Sequence, residues 1–162
     1  DAVIEKENDR LRREGLLGLP LVDIRLYGQM SLLSDEKLKA KIQLFATYDV
    51  DADVKGEYWI KTKFEELLKK HGFELDPMSH EIWTPPESTF SDFFITGRII
   101  CRRLDSLYVL VSKAIKAKEK NRILIAQALQ IYGNELASLI KKHGGKIDYF
   151  KVEKKEWQSL KT

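Results

Sequence analysis

Three aspartates at every second position, Asp49, Asp51 and Asp53 in the run LFATYDVDADV, constrain this chain more than any other feature. The run opens with apolar and β-favouring residues, which predicts a strand over residues 44–54. A strand sends alternate side chains to one face, so the three carboxylates share a face, each roughly 7 Å from the next. Asp is a poor strand former, and like charges along one face repel. Two readings are open at this point. A divalent cation with hard oxygen ligands offsets the repulsion, or the acids are solvated on an edge strand that runs into an Asx-rich loop.

The chain has 162 residues, enough for one domain with a proper core and too few for two comfortable ones. With 43% hydrophobic and 33% charged residues it reads as a folded globular chain rather than a disordered one. A formal net charge of +3 is too balanced to argue for nucleic acid or a membrane surface. The single cysteine, Cys101, excludes an internal disulfide and Cys-rich zinc motifs. It lies in the apolar run Ile99-Ile100-Cys101, which predicts a buried, inert thiol. No apolar stretch approaches a membrane span and no signal-peptide pattern opens the chain, so a cytoplasmic protein is expected.

In chain order, residues 2–17 predict an amphipathic helix with Val3, Ile4, Leu11, Leu16 and Leu17 as its apolar stripe. Residues 21–27 alternate as a short strand closed by Gly28, and residues 30–42 have helical spacing, with Ser34-Asp35-Glu36 able to cap a separate helix instead. Residues 57–71 predict an amphipathic helix capped by Gly72. Residues 73–75 and 80–84 are short strand candidates, and residues 93–104 read as one last strand. Asp105 is a good N-cap for a helix over 107–117, a second helix follows over 122–143, and residues 147–160 read as a final short helix. Strands mixed with helices, then helices alone, predict an α+β domain: a mixed sheet over 21–104 and an all-helical part over 105–162.

A glycine closing one strand, a helix, then Thr47-Tyr48-Asp49-Val50-Asp51 on the next strand resembles the minimal nucleotidyltransferase superfamily. Its pattern is a Gly-Ser or Gly-Gly turn, a helix and a D-x-[DE] strand. The stretch DSLYVLVSKAIKAKEKNR, residues 105–122, is similar to a segment of bacterial relatives linked to abortive-infection and toxin–antitoxin systems. The resemblance covers roughly residues 21–132. It implies a nucleotidyltransferase-like fold and transfer of a nucleoside monophosphate from a nucleoside triphosphate to a hydroxyl, with a cognate protein or an RNA among the acceptors. It implies Mg2+ or Mn2+ on Asp49 and Asp51, a phosphate turn at Gly28, Gln29 and Ser31, and phosphate contacts from Lys113 and Lys116. The family's third acid comes from a neighbouring strand; Asp92 is the expected position here, with Glu81 and Asp53 behind it. Gln29 stands where the family has Ser or Gly, and Asn121 where relatives carry Asp. Those departures motivate an alternative, a non-catalytic binding module such as one member of a toxin–antitoxin pair.

The remaining polar residues have plainer expectations. His71 and His143 each precede a glycine at a helix end, where a cation favours the dipole. Ser88, Ser91 and Ser112 lack neighbouring partners for nucleophilic catalysis. Trp83, beside Pro85-Pro86, is expected as a core or rim aromatic. Arg102 and Arg103 must point to opposite faces of their strand.

Overall fold

The computed structural model describes residues 1–152 of the chain. The elements run α1 (Ala2–Arg13), β1 (Val22–Leu26), α2 (Gly28–Leu33), α3 (Glu36–Lys39), β2 (Asp49–Val50), β3 (Ala52–Lys55), α4 (Tyr58–Lys70), β4 (Glu74–Leu75), β5 (Phe90–Ile95), β6 (Ile99–Leu104), α5 (Ser106–Lys116) and α6 (Arg122–Lys142). The architecture is α+β, around a four-stranded mixed sheet of order β3-β1-β6-β5. β1 pairs antiparallel with β3 and parallel with β6, and β5 and β6 form an antiparallel hairpin. β2 pairs in parallel with β4, placing Asp49 opposite Glu74 and Val50 opposite Leu75.

Alternation in β1 buries Val22, Ile24 and Leu26 and turns Asp23 and Arg25 to the other face. The buried row packs with Ile4 of α1, Ile60 of α4, Val50, Ala52 and Cys101. A second cluster joins Leu32 of α2, Leu38 of α3, Leu104 of β6, Leu110 and Val111 of α5, and Ile125, Leu136 and Ile140 of α6. Cys101 faces Ile24 across the β1–β6 ladder, and burial pushes its thiol up to about 11. α6 is long and apolar enough by composition to cross a bilayer, contrary to the expectation that no stretch is. Its buried residues nonetheless pack against α5 and the second cluster, as a core helix does.

Several elements differ from the sequence expectations. α1 ends at Arg13, four residues early, and Gly15 turns the chain at φ +74. Leu16 and Leu17 therefore leave the apolar stripe and are exposed. The helix over 30–42 is two helices, because the Asp35 carboxylate accepts the N–H groups of Lys37 and Leu38 and caps a new one. The strand candidate at 80–84 is a 3-10 turn over Ser79–Glu81 followed by irregular chain. The single strand over 93–104 is instead the second half of β5 and all of β6. Thr96-Gly97-Arg98 closes the hairpin, with the Thr96 hydroxyl accepting the N–H of Ile99 at 3.1 Å. Asp105 starts α5 without a side-chain cap, since its carboxylate accepts the Thr89 and Ser91 hydroxyls. The final helix is a 3-10 turn over Ile147–Phe150, and the rest of that expectation lies at 153–162, outside the described residues.

Ser31 is fully buried, and its hydroxyl donates to the Leu104 carbonyl, tying α2 to β6. One helical turn past Gly28 it faces the core, so it is a packing residue and not part of a phosphate turn. Ser31→Ala removes one buried hydrogen bond, and a urea titration should show a loss of about 1 kcal/mol in unfolding free energy.

Candidate functional site

Residues 49–55 form a near-continuous extended segment that changes partner at Asp51. The Val50 carbonyl accepts the Asp76 N–H at 3.0 Å, extending the β2–β4 pairing, and the Asp51 carbonyl accepts the Tyr27 N–H at 2.8 Å, extending the β1–β3 pairing. Val50 and Ala52 are buried, so Asp49, Asp51 and Asp53 turn to the other side, as the alternation predicts. Asp49 is exposed, and Asp51 and Asp53 are half-buried.

Gly28 begins α2 at φ +52, where a side chain is strained. It also lies beneath the Asp51 carboxylate: a Cβ on residue 28 would stand 1.7 Å from Asp51 Oδ2. The Gln29 N–H faces the same carboxylate and favours its ionised form. The proton affinity of Asp51 is raised, first by burial and then by the Asp76 charge, with Asp49 adding to it. Lys113 of α5 and the Gln29 N–H work in the opposite direction. Lys113 is itself pushed down by burial and by Lys120, and held up by Asp51.

Gln29 has a second task, which explains why an amide replaces the expected small residue. Its side-chain Nε2 donates to the Phe45 carbonyl at 3.0 Å and fastens the segment 43–47. Between that segment and the α5–α6 junction is a cavity of about 420 Å3, whose walls include Gln29, Phe45, Thr47, Lys113, Lys120 and Asn121.

Gly28, Gln29, Asp49, Asp51 and Lys113 thus come together. Asp92 does not join them. It lies opposite Arg102 in the β5–β6 hairpin and pairs with that guanidinium at 3.2 Å. Its strand is three positions across the sheet from β3, roughly 14 Å at the usual strand spacing. Arg102 also pairs with Asp23 on this face, and Arg103 turns toward Asp35, so the two arginines do diverge. Glu81 is exposed beside His80, and Asp53 lies opposite Arg25, 4.0 Å from the Lys55 ammonium. The acid that the fold brings near Asp51 is Asp76, which precedes Pro77 just after β4 and is not among the acids expected from the sequence. Its Oδ1 accepts the Met78 N–H at 2.8 Å in an Asx turn. Lys116 is over the Trp83 ring at 5.3 Å, away from the other site residues. Trp83 is a rim aromatic against His143, whose ring meets Glu87.

The donor chemistry at Asp49 and Asp51 fits a hard divalent cation: carboxylate oxygens only, with neighbouring negative charge disfavouring the ionised form. Among the described residues no three acidic, His or Cys side chains are grouped to enclose a metal. Magnesium uses one or two carboxylates together with waters and phosphates, so the pair meets its ordinary demand. No family model matches the chain, and no curated protein and no solved structure is similar to it.

A folded-state carboxyl with raised proton affinity keeps its proton where the unfolded chain has lost it, so its contribution to stability falls as pH rises through that window. Asp51→Asn should therefore raise the thermal midpoint at neutral pH in a chelating buffer. The gain should shrink as pH falls into the ordinary Asp range, near 4. Calorimetric scans at several pH values check both the sign and the trend.

Proposed function

We propose that the chain is a metal-dependent nucleotidyltransferase that moves a nucleoside monophosphate from a nucleoside triphosphate to a hydroxyl acceptor, in the cytoplasm. The observation that carries this reading is the Asp51 carboxylate laid against Gly28 with Asp49 and Asp76 in its field. That is costly to the fold, and a cation removes the cost. Asp49 and Asp51 would hold the ion, which when bound neutralises negative charge on the phosphates. The acceptor oxygen forms a bond to the α-phosphorus, the bond to the bridging oxygen breaks, and pyrophosphate leaves with the electron pair. Asp76 takes the hydroxyl proton, replacing Asp92 in that role. Only its Oδ1 has a hydrogen-bond donor among the described residues. The acceptor classes that fit are a cognate protein or an RNA.

A specific observation favours a second reading, a nucleotide-binding module without catalysis. Asp92, the acid in the expected sequence position, is committed to Arg102.

Thermal unfolding with Mg2+ or Mn2+ and each of the four nucleoside triphosphates tests the binding. One triphosphate should raise stability by about 2.7 kcal/mol at a hundredfold excess over its dissociation constant, by more with metal than without, and Asp51→Asn should lose the metal-dependent part. No shift with any combination overturns the reading. Pyrophosphate release separates the two forms. Asp76→Asn should slow it by roughly a hundredfold while the metal-dependent shift persists, whereas a binding module releases none.

A further inference from the structure

The Gly28 turn is poorly placed to take phosphate in this chain. The Gln29 N–H already acts on the Asp51 carboxylate, and that carboxylate covers Gly28. Ser31 is turned into the core. An anion there would meet a negative charge.

The adjoining cavity has the opposite character. Lys113 and Lys120 both line it, no carboxylate does, and the Lys120 charge already acts on the half-buried Lys113. Neither lysine has a carboxylate within 4 Å among the described residues. The first turn of α6 opens on the same space. Asn121 directs its amide back to the Ala117 carbonyl at 2.8 Å and does not cap the helix. The backbone N–H of Ile125 reaches Asn121, but those of Ile123 and Leu124, both on the cavity wall, find no acceptor among the described residues. Unmet helix-start N–H groups favour an anion, and the Lys113 and Lys120 ammonium groups supply its counter-charge. Phe45, Leu44 and Leu124 add an apolar wall, and about 420 Å3 is within the range of small-ligand sites.

We infer that the cavity lined by Lys113, Lys120 and the first turn of α6 is the polyphosphate site, and that the Gly28 turn positions Asp51 instead. The inference locates the phosphates within the nucleotide-binding reading above. It also stands apart from that reading, because such a site takes inorganic polyphosphate without metal.

Isothermal titration of the full chain with inorganic tripolyphosphate in EDTA tests it. Saturable one-site binding is expected. Lys120→Gln removes a charge from the cavity, and Gln127→Glu adds a negative one on its wall with little change of size or helix propensity, so the fold is kept. Each should weaken binding at least about tenfold. Lys69→Gln, on the solvent side of α4, should leave it unchanged. Absence of saturable binding, or binding by Lys120→Gln and Gln127→Glu equal to that of the unaltered chain, overturns the inference. Equal weakening by Lys69→Gln also overturns it, since the lysines would then attract the anion without a site. Binding with the expected pattern, beside no metal-dependent shift with any triphosphate, keeps the polyphosphate site and removes the transferase reading.

Discussion

The fold depends on what the backbone does at Asp51. Successive carbonyls of an extended chain point to opposite edges, so the Val50 carbonyl fixes Asp76 on one side while the Asp51 carbonyl fixes Tyr27 on the other. A single peptide step therefore sets the position of β4, the end of β1 and the entry to α2. The Asp51 side chain is then carried over Gly28, towards the Gln29 N–H. Backbone pairing supplies the order and the side chain bears its electrostatic consequence, a carboxylate held among others by hydrogen bonds it does not itself make.

The two apolar clusters divide the labour around this junction. One binds α1 and α4 to the sheet, and the other binds α2 and α3 to the α5–α6 pair. The cavity lies on the side of the second cluster, so Lys113 acts on Asp51 from a helix that the sheet does not carry. On the polar sheet face, Asp92, Arg102, Asp23 and Arg25 form a chain of ion pairs. Pairs this accessible contribute little stability each. Their effect is to hold Asp92 on that face, on the far side of the sheet order from Asp51.

What could be read in the sequence follows from the range of the forces involved. The alternation of Asp49, Val50, Asp51 and Ala52 is a property of the strand itself, and it is present in the fold. The helix over Tyr58–Lys70 and its end at Gly72 are equally local: the Phe73 N–H reaches back to the Leu68 carbonyl at 2.9 Å, as a helix-ending glycine allows. The β5–β6 hairpin was hidden, because both arms are rich in β-forming residues and only Gly97 interrupts them. Ser31 was misassigned because one turn of helix decides which way it faces. Asp76 could not be found from its neighbours at all. Asp-Pro signals a turn, and only the parallel pairing of β2 with β4 brings that turn to Asp51. Gln29 stood out as a departure from a pattern, but its tie to Phe45 depends on a segment sixteen residues away.

Cys101 lies in the ladder between β1 and β6, with its thiol held in the protonated form well above neutral pH. It is also the one cysteine in the chain. A thiol reagent reacts with thiolate and needs access, so in the folded chain it meets neither. Modification must wait for the packing of α1 and α4 on that sheet face to open, and the labelling rate becomes a clock for that event. The molecule thus contains an intrinsic reporter of how often that packing opens, one that needs no added probe site and lies in the same core cluster as Val50 and Ala52.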